Sequence, residues 1–209
     1  MPTRAWPAGG VDMRQLHSIA MAARRRGLTL VEILVALAVL GVIAAAAAPS
    51  LAEMMERRRV VAATQELASI FSYAKSETNV TGAVLNLHLE PSVDSQVSCA
   101  RLVTQSSRDT CGCNVATSDA CSQVKGASVT LREFLLPKST GVSFVASAVW
   151  GAGGNVLSFS RNVHYTNVQN FQLTVTGQRT GAQLRIEYND LGRVHVCAPS
   201  GSLGGYPAC

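Results

Sequence analysis

An apolar run of 21 residues, from Leu28 to Ala48, is the feature that most constrains how this chain can fold. It contains one charged side chain, Glu32, and one other polar side chain, Thr29. A helix rises 1.5 Å per residue, so this run would span roughly 31 Å, the thickness of a bilayer's hydrocarbon core. The run predicts a transmembrane helix. A cleavable signal with a cut after Ala46-Ala47-Ala48 is the alternative, but the length of the run and the helical pattern beyond it disfavour that cut.

Basic side chains are concentrated ahead of this run. The segment before Gly27 has five Arg and one Asp, a net charge of +4 out of +5 for the whole chain. The basic balance therefore does not indicate that the rest of the chain binds an acidic partner. Arg24-Arg25-Arg26 favour a cytoplasmic N-terminus under the positive-inside rule, whereas Arg57-Arg58-Arg59 beyond the run weaken that assignment.

The segment Gly27-Leu28-Thr29-Leu30-Val31-Glu32 carries the sharpest signal, because a carboxylate inside an apolar helix needs a cation or an interface. Three arginines, a glycine and this segment ahead of a long apolar run resemble the type IV prepilin signature. The resemblance implies that a prepilin peptidase cleaves between Gly27 and Leu28, and that Leu28, where Phe is usual, is N-methylated. It also implies that Glu32 pairs with the N-terminal amine of a neighbouring subunit during filament assembly. Pro49 matches the family's helix-interrupting proline and is expected to kink the helix.

The chain divides into four predicted segments. They are a prepilin leader (1–27), a transmembrane helix (28–48), an amphipathic helix (49–80) and a periplasmic β-rich head (81–209). Residues 1–20 show no periodicity, and a start at Met21 would leave a short basic leader. They are expected to be a misassigned start or a dispensable extension, and the choice between Met1 and Met21 stays open.

The pattern beyond the apolar run predicts an α+β fold, in which one long N-terminal helix packs on an antiparallel β-sheet head. Leu67, Ile70, Phe71 and Ala74 follow helical spacing on one face, and Gly82 is expected to end the helix. Strand patterns follow, and the segment 91–128 matches no pattern that we can assign. The predicted strands lie at 83–90, 129–136, 142–147, 156–160, 171–176, 182–188 and 193–196, with a loop at 150–155 and a turn at 177–181.

The end of the chain carries a second resemblance. Tyr188 to Cys197, with Gly192-Arg193-Val194-His195-Val196-Cys197, is similar to the C-terminal end of the GspH/FimT group of pilin-like proteins, with His195 in place of a second Arg. The resemblance implies a minor pseudopilin of a type II secretion system, near the tip of a periplasmic filament. Its implied partners are other pseudopilins or pilins, prepilin peptidase and the inner-membrane assembly platform. The head is expected in the periplasm and the N-terminus in the cytoplasm.

Two other functions stay open, one within the same resemblance and one of a different class. A minor type IV pilin, acting in pilus biogenesis or DNA uptake, would bind DNA phosphates through basic side chains near the C-terminus. Those candidates are Arg179, Arg185, Arg193 and His195, with Arg161 in support, although Arg185 and Glu187 share a strand face and could pair instead. A receptor-like periplasmic domain on an uncut signal anchor is the remaining alternative.

All six cysteines lie beyond the apolar run, which fits an oxidising periplasm. Cys197 and Cys209 flank a Gly- and Pro-rich tail and are expected to pair. Cys111 and Cys113 are too close to pair easily, so each is expected to reach Cys99 or Cys121. A four-thiolate zinc site is the alternative, but the chain lacks the usual pairs of cysteines two to four residues apart.

No catalytic motif accompanies these features. The sequence lacks Gly-x-Ser-x-Gly, a Walker loop and His-Glu-x-x-His. Asp94 and Asp109 lie in polar segments and are expected to be solvated, and His88 is expected to be a satisfied strand residue. We therefore expect no enzymatic activity, no metal and no cofactor.

Overall fold

The computed structural model describes residues 28–91, 96–104, 111–114, 121–122, 124, 127–147, 156–161, 171–189, 192–201 and 203–209. The leader, Asp94, Asp109 and the predicted loop at 150–155 lie outside these residues. Within these ranges the structure contains a helix, a short 3-10 turn at Lys138–Thr140 and eight strands. They are α1 (Leu30–Thr81), β1 (Leu85–Glu90), β2 (Val97–Val103), β3 (Thr130–Pro137), β4 (Val142–Ala146), β5 (Val156–Phe159), β6 (Phe171–Gly177), β7 (Gln183–Tyr188) and β8 (Val194–Cys197).

The chain separates into two compact units, Met1–Ala46 and Ala47–Cys209. In the first unit the described residues are helical from Leu30 onward, and all of them are exposed. Helix α1 contains an 18-residue window with a mean hydropathy of 2.7, none of it buried within the protein. Such a window is long and apolar enough to cross a membrane, because its exposed side chains suit hydrocarbon better than water.

The helix continues through Pro49, where the sequence predicted a kink in one long helix. Residues on both sides of Pro49 are helical, and the Ser50 Oγ donates a hydrogen bond of 2.9 Å to the Ala47 carbonyl. Proline lacks the N–H that would bond the fourth carbonyl before it, but its fixed φ is compatible with a helix. The segments expected at 28–48 and 49–80 therefore belong to one long helix, as the predicted fold class requires. A bend at Pro49 stays a prediction.

The second unit contains two four-stranded sheets, and each described strand pair in them is antiparallel. One sheet has the order β3-β2-β1-β5 and the other the order β4-β6-β7-β8. The predicted helical stripe is buried against them: Leu67, Phe71 and Ala74 are fully inaccessible and Ile70 nearly so. The α+β expectation, with a helix on antiparallel sheet, is confirmed.

Phe71 joins the two sheets through one aromatic cluster. Its ring lies 6.3 Å from Phe159 of β5 in the first sheet. It also lies 5.5 Å from Phe171 of β6 and 5.8 Å from Tyr188 of β7 in the second. Because each large ring removes much apolar area from water, this contact fixes the helix over both sheets.

Strand β2 lies in the segment that the sequence left unassigned. Val97 is half-buried and the next six residues are buried, so the strand shows no alternation of polar and apolar side chains. It contains Arg101, whose Nε donates to Glu133 Oε1 at 2.6 Å and whose Nη1 donates to the Gly112 carbonyl at 2.8 Å. Pattern reasoning missed β2 because consecutive residues of this strand are buried on both faces of the sheet. A strand without a solvent-exposed face need not alternate polar and apolar side chains.

Three disulfides lie in the second unit, and they agree with the pairings expected from the sequence. Cys197 bonds Cys209, with their Cα atoms 4.9 Å apart. The close cysteines separate as expected, since Cys113 bonds Cys99 and Cys111 bonds Cys121. The pairing leaves no free cysteine for a four-thiolate zinc site.

Candidate functional site

The start of α1 organises the residues of the predicted processing motif. Gly27 lies outside the described residues, and Leu28 is 70% exposed. Thr29 precedes the helix, and its Oγ1 accepts a hydrogen bond of 3.2 Å from the Glu32 backbone N–H. Its carbonyl accepts another of 3.2 Å from the Ile33 N–H. Thr29 is therefore the N-cap, which satisfies a donor that the first turn would otherwise leave free.

This cap was readable in the sequence and was overlooked. Thr29-Leu30-Val31-Glu32 has the Thr-x-x-Glu spacing of a capping box. It places Glu32 in the first turn, where the positive end of the helix dipole favours a carboxylate. Glu32 is exposed, and within the described part of the chain no Lys or Arg forms an ion pair with it. Any cationic partner inside a membrane would have to come from elsewhere than these residues.

A second acidic residue of α1, Glu56, lies buried in the head and was missed by sequence reasoning. Its Oε1 accepts hydrogen bonds from the Arg179 N–H at 2.9 Å and from the Thr180 N–H at 3.2 Å. The Thr180 Oγ1 lies 3.3 Å from the same oxygen, and the Arg179 Nε is 3.5 Å from Oε2. Burial raises the pKa of Glu56, but these hydrogen bonds and the Arg179 charge outweigh it and hold the pKa below its ordinary value.

Glu56 thereby fastens α1 to the turn between β6 and β7. A Cβ on Gly177 would come within 2.6 Å of the Glu56 Oε1 and 3.2 Å of the Val60 Cγ2, so the close approach requires glycine. The signal that could have shown this is positional. Glu56 precedes Val60 by four residues and Leu67 by eleven, which puts a carboxylate on the buried face of the helix.

His88 is buried beside a disulfide, and neither of its ring nitrogens has a hydrogen-bond partner among the residues that the structure describes. Burial lowers its pKa to about 4. The expectation of a satisfied histidine is therefore wrong. Its partners in register are Val156 of β5 and Arg101 of β2. The Arg101 guanidinium donates to Glu133 and to the Gly112 carbonyl.

The His88 ring lies within 4.8 Å of the sulfurs of Cys111 and Cys121, a grouping that could in principle hold a metal. Those sulfurs are bonded to each other, which removes the thiolates that a soft metal ion needs.

The C-terminal basic residues do not form one free patch. Arg179 lies in the turn before β7 and pairs with Glu56, whereas Arg193 lies beyond the other end of β7. Arg185 and His195 both face Glu187, at 3.8 Å and 3.9 Å. Of the four candidates for DNA contact, only Arg193 is without a carboxylate partner among the residues that the structure describes. The supporting residue Arg161 donates to the Asn79 carbonyl at 3.1 Å.

Comparison with known proteins identifies the N-terminal motif. Residues 22–48 match the model of the prokaryotic N-terminal methylation motif. The match confirms that this end of the chain is type IV pilin-like, and it indicates membrane anchoring by the apolar helix. No curated protein matches the chain.

Solved structures that resemble this one include a minor pilin and a minor pseudopilin, both at low identity. The type IV minor pilin FimU of Pseudomonas aeruginosa is 12% identical, with a TM-score of 0.46, over 73% of this chain and 98% of that one. The minor pseudopilin EpsH of the type 2 secretion system of Vibrio cholerae is 15% identical, with a TM-score of 0.41, over 67% and 96%. Our assignments rest on the motif and on this chain's own geometry.

Proposed function

We propose that this chain, which carries the N-terminal methylation motif, is a structural subunit of a type IV pilin-like filament. Prepilin peptidase cleaves it between Gly27 and Leu28 at the cytoplasmic face of the inner membrane, and Leu28 is then N-methylated. Residues 28–48 anchor the processed subunit, with the head in the periplasm. The observation that carries the proposal is the motif match at residues 22–48, which includes both the cleavage position and Glu32.

The first turn of α1 supports a role for Glu32 in assembly. The Thr29 cap fixes the helix start two residues after Leu28, at Leu30. Glu32, four residues after Leu28, is exposed without a cation partner among the described residues. A carboxylate inside hydrocarbon is costly unless it is neutralised or paired. Cleavage would create an N-terminal amine on each subunit, and the amine of a neighbour would supply the missing charge.

Within this class we propose a minor pseudopilin of a type II secretion system. The alternative is a minor type IV pilin that takes part in pilus biogenesis or binds DNA during uptake. The geometry of the C-terminal basic residues favours the first, because Arg179, Arg185 and His195 already face carboxylates. A phosphate would have to displace those partners. Assembly, not catalysis, is the proposed activity.

Mass spectrometry of the purified N-terminus tests processing. A chain that begins with methylated Leu28 supports the proposal, and an intact leader contradicts it and favours an uncut signal anchor.

Glu32→Ala should remain in the membrane fraction but fail to enter filaments. Glu53→Ala is the matched control, since Glu53 is also an exposed carboxylate on α1. Normal incorporation of Glu32→Ala would show that Glu32 does not drive assembly.

A DNA-binding assay at low and at physiological salt distinguishes a pseudopilin of a secretion system from a minor pilin that takes part in DNA uptake. A pseudopilin should show no binding to duplex DNA even at low salt, where phosphate contacts are strongest. Salt-dependent binding that Arg193→Ala weakens would favour the pilus and uptake alternative.

A further inference from the structure

A buried cluster beside strand β1 brings one imidazole and two sulfur atoms together. A ring nitrogen of His88 and the Sγ atoms of Cys111 and Cys121 lie within 4.8 Å of one another, and all three residues are inaccessible to solvent. Val103 packs against the two cysteines, so the surroundings are apolar. A tetrahedral zinc ion holds its nitrogen and sulfur ligands about 3.5–3.8 Å apart. The three side chains are therefore close to the spacing of a metal site.

The imidazole of His88 is the feature of this cluster that indicates a ligand. Neither ring nitrogen has a hydrogen-bond partner among the described residues, although the side chain is fully buried. A buried polar group without a partner lowers the stability of a fold, so it usually has a role that packing does not explain. A bound cation would take the lone pair of one ring nitrogen and so supply the missing partner.

Contacts that do not use the Cys111–Cys121 bond hold the cluster in place. The Cys111 N–H donates to the Glu90 Oε1 at 2.9 Å, and the Gly112 carbonyl accepts a hydrogen bond of 2.8 Å from the Arg101 Nη1. Glu90 lies on β1 and Arg101 on β2. These hydrogen bonds tie the segment that carries Cys111 to the sheet, whether or not the two sulfurs are joined.

We propose that the dithiol form of this chain binds zinc(II) through His88, Cys111 and Cys121. In the oxidised form the two sulfurs are bonded to each other and offer no thiolate. Before oxidation each cysteine carries a thiol, and zinc binding displaces one proton from each thiol without any transfer of electrons. The ion then has two thiolates and one imidazole as ligands, which are the ligand types that zinc prefers. The site is open to the metal only while this disulfide has not formed.

The charge of the complex selects zinc over other cations. Two thiolates cancel the two positive charges of zinc(II), so the complex brings no net charge into an apolar interior, where an unpaired charge is costly. Copper(I), which also favours thiolates, would leave one negative charge. Magnesium and calcium prefer oxygen ligands, and these three side chains offer none.

The inference does not depend on the filament role of the chain. The bound ion links β1 to the segment of Cys111 before the disulfide forms. Glu32→Ala should therefore bind zinc as the wild type does, and a failure of zinc binding would leave processing and assembly unaffected.

Thiol alkylation of the full chain in detergent micelles tests the proposal. A phosphine first opens the disulfides: it is oxidised to the phosphine oxide with the oxygen of a water molecule, whose two protons complete the thiols. Iodoacetamide is then added over a range of zinc chloride concentrations, and mass spectrometry measures the labelling of each cysteine. Zinc should protect Cys111 and Cys121 and leave Cys197 and Cys209 reactive. Without the phosphine, the chain should bind no zinc at this site.

Two variants separate this site from the other thiols. His88→Leu keeps all six cysteines and should raise the zinc concentration for half-protection more than about 100-fold, since loss of an outer-shell partner alone costs about 10–100-fold. Cys197→Ser/Cys209→Ser removes two thiols outside the cluster and should leave that concentration unchanged.

X-ray absorption at the zinc edge should show two sulfur ligands and an imidazole nitrogen. Four sulfur ligands would overturn the proposal, because the ion would then be held by thiolates alone. Equal protection in His88→Leu and the wild type would also overturn it, as would equal protection of Cys197 and Cys209. These outcomes are decisive even if the reduced chain unfolds, because an unfolded chain would not distinguish one pair of cysteines from another.

Discussion

Acid should destabilise the head through His88, and the size of the effect follows from its burial. The pKa of His88 is about 4 in the folded protein against 6.5 for an ordinary histidine. Below pH 6.5 the unfolded chain takes up a proton that the folded chain excludes, so stability falls as the pH decreases toward 4 and then levels off. At pH 5 the loss is about 2 kcal/mol, and its limit is about 3.4 kcal/mol, since one pKa unit corresponds to about 1.36 kcal/mol.

The assay is urea unfolding of the full chain in detergent micelles at pH 7.5 and pH 5.0, followed by circular dichroism. His88→Leu keeps a similar volume and removes the titrating group. At pH 7.5 it should be at least as stable as the wild type, because it removes two buried nitrogens that have no partner. Between the two pH values it should lose about 2 kcal/mol less than the wild type.

The contributions of other titrating groups to the free energy of unfolding cancel when the wild type is compared with His88→Leu. The disulfide of Cys111 and Cys121 beside His88 does not titrate, and Glu90, which accepts a hydrogen bond of 2.9 Å from the Cys111 N–H, is present in both proteins. The contribution of Glu56 is lost only at lower pH, below its ordinary value of 4.5, because its folded pKa is lowered. An identical pH dependence for the wild type and His88→Leu would refute the reasoning.

Three further predictions concern the packing of α1, each measured by urea unfolding of the full chain. Glu56→Ala should cost about 3 kcal/mol, because it leaves buried N–H donors without an acceptor; Glu53→Ala is the exposed control, and an equal cost for the two would contradict the structure. Gly177→Ala should cost about 1–3 kcal/mol through its clash with Glu56, and an unchanged midpoint would show that the helix can move aside. Cys197→Ser/Cys209→Ser should cost about 3 kcal/mol through the freed loop, and a cost below about 1 kcal/mol would show that packing alone holds the tail.

Much of the fold could be predicted from periodicity. The buried stripe of Leu67 and Phe71, the end of α1 before Gly82 and the hairpin of β6 and β7 each follow from local spacing and turn residues. Strand β2 could not be predicted in this way, because burial on both faces removes alternation. The continuation of the helix beyond Pro49 could be predicted, because the apolar residues from Leu67 to Ala74 keep helical spacing.

The candidate site divides in the same way. The proposed processing motif is a linear pattern of neighbouring residues, so Gly27, Leu28 and Glu32 could be named without a structure. The contacts of the C-terminal arginines could not, because strand register decides which carboxylate each one faces. Arg185 and Glu187 lie two apart on one strand, but Glu187 meets His195 only because β7 and β8 pair in that register.

The sequence alone determined that this chain has an apolar N-terminal helix with a methylation motif, followed by a disulfide-bonded β-rich head. Those properties depend on hydrophobicity, spacing and local backbone preference. Only the tertiary structure decided that Glu56 fastens the helix to a hairpin turn, that His88 is buried without a hydrogen-bond partner among the described residues, and that Phe71 contacts rings of both sheets. Each of these joins residues far apart in the chain. Their free energy depends on burial and on the neighbours that packing supplies, and no local pattern encodes either.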